Sequence, residues 1–143
     1  MNAQLKPRVE YLWVGPESAQ RGLNDAWPLL REAVNGYSDN KYSKRSILKK
    51  LIDRTAVLWM TLVDGEPLAA TVTWMDQYDL TKRLTIAFAG GDLDALKGLY
   101  PHLEDYAKDA GCDAVEVWGR RGWERVGKEY GYDYIHSVVR KKL

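Results

Sequence analysis

LWMTLVDGEPLAATVTW, residues 58–74, reads as two strands joined by a tight turn. Its first half belongs to a nearly continuous apolar run, Ala56 to Val63, which suits a strand covered on both faces. Asp64-Gly65 is a two-residue hairpin signal, because both positions of such a turn need left-handed backbone. Leu68 to Met75 is the returning strand. After a turn over Asp76 to Thr81, Arg83 to Ala89 (RLTIAFA) follows as a third strand in a row. Upstream, Val9 to Val14 (VEYLWV) is a first strand stopped by Gly15-Pro16.

Helices fill the spaces between. Glu17 to Val34 places Leu23, Trp27, Leu30 and Val34 near helical spacing, with a break expected at Pro28. Ser43 caps a helix over Lys44 to Arg54 whose apolar stripe is Ile47, Leu48, Leu51 and Ile52. Gly90-Gly91 ends the third strand of the run, and Asp92 caps a long helix from Leu93, kinked or restarted at Pro101 and closed by Gly111. Asp113 to Trp118 is a strand with Glu116 turned to solvent. Gly119 to Tyr130 is a short helix stopped by Gly131, and Tyr132 to Val139 is a last strand. The order β-α-α-β-β-β-α-β-α-β, with an antiparallel run followed by a crossover, predicts one α/β domain over residues 1–143 with a mixed sheet.

Composition narrows the function. In 143 residues, 21 Lys and Arg balance 20 Asp and Glu, so no general nucleic-acid coat is implied. No apolar run is long enough to span a membrane, and MNAQLKPRVEYLWVGPES lacks the features of a secretory signal. One cysteine and two histidines exclude a disulfide framework and argue against a structural zinc site; a cytoplasmic location is the expectation. Six Trp and nine Tyr against one Phe favour wet aromatic contacts or a wide groove.

The hairpin at 58–74, the run GLYPHLEDYAKDAGCDAVEVWG (98–119) and the end WERVGKEYGYDYIHSVVRKKL (123–143) together resemble the GCN5-related N-acetyltransferases. The resemblance runs over essentially the whole chain. It implies a GNAT-like mixed sheet and acetyl-CoA as cofactor. It implies a pantetheine arm between the fourth and fifth strands and a pyrophosphate on amides at the start of the third helix, where unpaired N–H groups favour phosphate. It thereby marks Phe88, Ala89, Gly90 and Gly91 as candidate cofactor contacts, and Tyr130, three residues from the family's Tyr position, as the candidate acid for the departing thiolate. Arg120 and Arg121 either grip CoA phosphates or a phosphodiester in place of the lost loop or are ordinary surface charge beside Glu124 and Glu129.

The chain departs from the family pattern at both cofactor motifs. Where the family reads Q/R-x-x-G-x-G/A, this sequence has Ala89-Gly90-Gly91-Asp92-Leu93-Asp94-Ala95, with two carboxylates at the helix start. Lys97, a turn later, replaces them poorly. Anchoring the second motif, N-x-x-A-x-x-x-Y-x-x-x-G-F, on Gly131-Tyr132 puts Arg120, Trp123 and Gly127 at its Asn, Ala and Tyr. The fourth strand, Arg83 to Phe88, carries no carboxylate to act as a base. This erosion is similar in style to that of small phage-encoded members of the fold, including virion-associated ones, which would place the protein in the host cytoplasm or the virion.

Other candidates have plain alternatives. Cys112 and His136 read as structural residues, and His102 as a surface one. The cations from Lys41 to Arg54, Lys49 and Lys50 among them, are either a solvated helix face or a surface for nucleic acid or an acidic protein. Trp59, Trp74 and Trp118 suit core packing. Trp123 either fills the adenine-ribose end of the groove or anchors an interface with Arg125. Three function classes follow. One is a noncatalytic or strongly divergent phage accessory or virion protein acting through a protein partner or a second copy, without a cofactor. Another is an acyl-CoA-dependent N-acyltransferase using acetyl-CoA or another acyl-CoA. The last is a nucleic-acid-binding module.

Overall fold

The computed structural model describes residues 6–37, 41–119 and 122–143. In chain order it contains β1 (Val9–Val14), a 3-10 turn (Pro16–Ser18), α1 (Ala19–Tyr37), α2 (Lys44–Ile52), β2 (Val57–Val63) and β3 (Glu66–Gln77). These are followed by β4 (Lys82–Gly91), α3 (Leu93–Asp109), β5 (Ala114–Val117) and α4 (Gly122–Lys128). The strands form one five-stranded sheet in the order β1-β2-β3-β4-β5. The first four strands pair antiparallel; β4 and β5 pair parallel, as the α3 crossover requires. The hairpin turn has Asp64 at φ 51° and Gly65 at φ 82°, the conformation that matches the strand twist.

Period-two alternation divides the apolar side chains between two layers. Leu58, Met60, Ala70, Val72 and Trp74 pack against Leu23, Ala26, Leu30 and Val34 of α1 and Ile47 and Leu51 of α2. On the opposite face Leu84 and Ile86 pack against Leu99, Tyr100, Leu103 and Ala107 of α3. A bulge reverses the phase along β4. Val72 pairs with Phe88 and Thr73 with Ile86, so Ala87 is the extra residue. Ala87 and Phe88 therefore join the α1 side, and Ala89 returns to the α3 side.

Four local expectations are corrected. Helix α1 runs through Pro28 without a break. Pro28 removes one N–H and crowds the Asn24 carbonyl, but both residues are exposed, so that carbonyl is open to solvent. The opposite stripe of Leu23, Ala26, Leu30 and Val34 is fully buried and holds the helix. Helix α3 likewise continues across Pro101, whose side is exposed while Leu99, Tyr100 and Leu103 are buried. Ile52 is exposed: Ile47 and Leu51 are buried and Leu48 packs beside them, before Arg54 (φ 62°) ends the turn. Glu116 is not solvated: its carboxylate, 19% exposed, pairs with Arg83 across the β4–β5 ladder.

The largest correction is at the end of the chain. Tyr132 to Val139 is not a strand, and nothing is added outside β5. Ile135, Val138 and Val139 are 63%, 82% and 93% exposed. Strand propensity describes the fit to a pleated, half-buried surface. These residues have no such surface beneath them, so alternation alone does not make them a strand.

Candidate functional site: a groove where two parallel strands diverge

The β4–β5 ladder covers Arg83 to Ile86 on one side and Ala114 to Val117 on the other. Its last bond is from the Trp118 amide to the Ile86 carbonyl, 3.0 Å. Beyond the bulge at Ala87, β4 continues to Gly91 without β5. The two strands open into a groove of about 1550 Å3, bounded by Ala89, Leu96, Tyr100, Trp123, Tyr130 and Tyr132 on the α3 side. The start of α3 stands at the far end of this groove.

The first turn of α3 is capped by Asp92. The Asp92 carboxylate Oδ1 accepts the Ala95 amide at 2.9 Å. The Leu96 amide donates to the Asp92 carbonyl, and the Asp92 amide donates to Leu68 of β3. Asp94 adds a second carboxylate to the same turn. Gly90 and Gly91 are demanded by the fold. A Cβ on Gly90 would collide with the Leu29 carbonyl of α1, and one on Gly91, at φ 107°, with the Leu68 carbonyl. The close approaches that these glycines permit are by the chain itself. Lys97 points its ammonium at Glu129 beyond α4, 3.3 Å away.

No family model and no curated protein sequence matches the chain. Solved structures do. A GCN5-related N-acetyltransferase from Ralstonia eutropha superposes with a TM-score of 0.71 at 13% identity, covering 94% of this chain and 99% of that one. An aminoglycoside N-acetyltransferase in complex with CoA gives 0.70 at 9% identity, covering 99% of each chain. A predicted acetyltransferase with acetyl-CoA from Clostridium acetobutylicum gives 0.69 at 12% identity, covering 94% and 96%. The fold is that of the GCN5-related N-acetyltransferases. At these identities the likeness establishes the GNAT architecture and leaves the chemistry to the residues.

The GNAT fold implies acetyl-CoA, and the residues at the phosphate end do not fit it. The helix-terminal amide of Ala95, a natural phosphate donor, is taken by a carboxylate, and two negative charges stand where an anion would bind. Trp123 adds a steric obstacle. Its half-buried indole packs with Leu68 and Ala89 against Ala69, Ala95 and Leu96, in the wedge between the end of β4 and the start of α3. Gly119 makes this possible, since a Cβ there would strike the Trp123 ring.

The other candidates divide. Ala89 lines the groove beside Trp123. Phe88 also lines the groove, although the bulge turns its ring to the α1 side, 5.9 Å from Trp74 and 5.7 Å from Tyr42. Tyr130 is at the groove, edge-on to Tyr100 at 5.5 Å. Arg120 and Arg121 lie outside the described residues. Arg125 is exposed on α4. Lys49 pairs with Asp53 at 2.7 Å, which raises the ammonium pKa through that hydrogen bond and then the carboxylate charge. Lys50 stands over Trp74 at 5.1 Å and Lys44 over Trp27 at 5.5 Å. Trp74 is buried and Trp59 half-buried, its indole donating to Thr73, but Trp118 is 42% exposed at the groove mouth. Among the described residues no group of three His, Cys, Asp or Glu is arranged to hold a metal.

Three features escape a strand-by-strand reading. The carboxylates missing from β4 reach it from its neighbours: Asp76 of β3 accepts from Thr85 at 2.7 Å, and Glu116 of β5 pairs with Arg83. Asp113 ties the β3–β4 turn to the start of β5, accepting from the Lys82 amide at 3.0 Å and the Thr81 hydroxyl at 2.9 Å. Those two bonds, in that order, hold its carboxyl below the ordinary 3.8. Tyr100, on the buried stripe of α3 with Leu96 and Leu103, lines the groove although only 2% exposed. Burial first, then Tyr132 and Tyr130, keep its phenol protonated well past the usual value.

Proposed function

We propose that this GNAT-fold chain is a noncatalytic accessory protein that works by protein contact, of the kind carried by phages or their virions. One observation carries the reading: the Asp92 carboxylate and the Trp123 indole occupy the wedge at the start of α3 where a CoA pyrophosphate would need free amides and space. The surface supports contact. Trp13 and Leu12 on the edge strand β1 are 53% and 44% exposed, and Tyr134, Ile135, Val138 and Val139 after α4 are exposed as well. Nucleic-acid binding through Lys41 to Arg54 is the lesser proposal, because Lys44, Lys49 and Lys50 already have partners within the chain. Calorimetric titration with acetyl-CoA and longer acyl-CoAs tests the reading. The expected result is no saturable heat; micromolar affinity would overturn it.

A second reading is an acyl-CoA-dependent N-acyltransferase. It is favoured by the splay itself, which leaves β4 backbone open beyond Ile86, and by Asp76 and Glu116 beside that strand. In this reading an acyl-CoA enters without the usual phosphate anchor. Transfer of radiolabelled acetyl groups to a panel of amines would distinguish the two.

A further inference from the structure

The Tyr100 hydroxyl is buried and has no hydrogen-bond partner among the described residues. An orphaned hydroxyl is costly, and native structures seldom keep one without a reason. Its setting is constructed. The Tyr100 ring is 5.5 Å from Tyr130 and 6.3 Å from both Trp123 and Tyr132. Gly127 lets Tyr132 fold back, since a Cβ there would press on the Tyr132 side chain at 3.1 Å. The Tyr132 hydroxyl reaches Glu104 of α3 at 3.4 Å, a long and weak bond. The groove therefore offers, side by side, a phenolic donor that lacks an acceptor, a carboxylate held loosely, and aromatic rings. Tyr100 is eight residues past Asp92, about 12 Å further along the helix axis, away from the capped first turn.

We propose that this part of the groove binds a planar heteroaromatic ring whose edge carries a hydrogen-bond acceptor beside an N–H donor, the chemistry of a nucleobase. The acceptor takes the Tyr100 O–H, the adjacent N–H (a ring N–H in uridine, the exocyclic amine in adenosine) goes to Glu104, and the ring face lies on the aromatic side chains. Tyr130 and Tyr132 form the cover. They flank Gly131, which at φ 81° turns the chain out of α4, and Tyr130 is 36% exposed. The inference is independent of whether acyl-CoA binds, because it uses neither the first turn of α3 nor the open β4 backbone.

Titration calorimetry of the full chain with uridine and adenosine, with toluene as a ring lacking the polar edge, tests it alongside Tyr100→Phe. Saturable nucleoside binding is expected, weakened about tenfold or more in Tyr100→Phe. The ligand-free variant should melt no lower than the parent, since it loses only an unpaired hydroxyl. No saturable nucleoside binding would overturn the proposal. So would toluene binding as tightly as the nucleosides, equal nucleoside affinity in the variant, or a markedly lower melting temperature, which would show that the hydroxyl has a structural partner.

Discussion

The two faces of the sheet are built to different rules. The face under α1 and α2 is closed by aliphatic residues, with Leu23, Leu30, Val34, Ile47 and Leu58 at 1% exposure or less. The face under α3 holds three buried threonines, Thr61, Thr71 and Thr73, together with Tyr100 and an open groove. Thr61 donates to the Ala95 carbonyl, while Thr71 Oγ1 and the Tyr100 hydroxyl lack partners among the described residues. The first face maximises burial of apolar surface. The second tolerates unsatisfied polar atoms and half-buried aromatics. Sites are placed where packing is relaxed, and the relaxed face here is the one beneath α3 that carries the groove.

The comparison can be broken by substitution. Leu30→Ala, on the closed face, should cost roughly 2–5 kcal/mol in denaturant unfolding. A loss below about 1 kcal/mol would mean that this face is not the tighter one. Trp123→Ala, on the open face, should cost less, about 2 kcal/mol, because the indole is only half-buried. The same variant should gain affinity for acetyl-CoA, measured calorimetrically; an unchanged affinity would show that the ring does not block the groove.

Smaller effects sharpen it. Asp92→Ala should cost about 1 kcal/mol through loss of the cap on Ala95, whereas Asp92→Asn, an equally good cap, should leave thermal stability unchanged while reducing the charge facing a phosphate. On the open face, burial raises the phenol pKa of Tyr100 and Tyr132 above the ordinary 10.0. Their contribution is complete below pH 10 and is lost as pH rises past it, because the unfolded chain ionises first. Stability measured against pH should therefore fall on the alkaline side, and Tyr100→Phe with Tyr132→Phe should flatten that fall. Asp113 has the opposite sign. Its depressed carboxyl gives a contribution present above 3.8 and lost on acidification below it, so Asp113→Asn should remove an acid-side decline. The least change is expected for Lys49→Ala, whose exposed ion pair should not register in the melting temperature.

Local signals carried most of the fold. The bounds of β1, the Asp64-Gly65 turn, the Ser43 and Asp92 caps and the stop at Gly131 all follow from chemistry within a few residues. Expectations failed where the outcome depends on a distant partner. Pro28 is tolerated because α1 lies on the sheet, Glu116 is drawn in by Arg83 on the next strand, and Tyr132 to Val139 has no strand beside it. The candidate site was legible in part. The two carboxylates at the start of α3 and the misplaced indole were visible as departures from a pattern. The orphaned Tyr100 hydroxyl and the carboxylates flanking β4 were not, since both are products of register and crossover.

By itself, then, the sequence determined which segments from Val9 to Lys128 are helix or strand, where most of them begin and end, and that acidic groups head α3. These depend on propensity, capping and turn geometry, which act over one or two helical turns. Tertiary structure alone decided that Gly90 and Gly91 yield to Leu29 and Leu68, that Trp123 lies in the wedge, and that a bulge at Ala87 turns the Phe88 ring to the α1 side. Such outcomes turn on steric contact and hydrogen bonding between residues far apart in the chain, and no local pattern encodes which of them will meet.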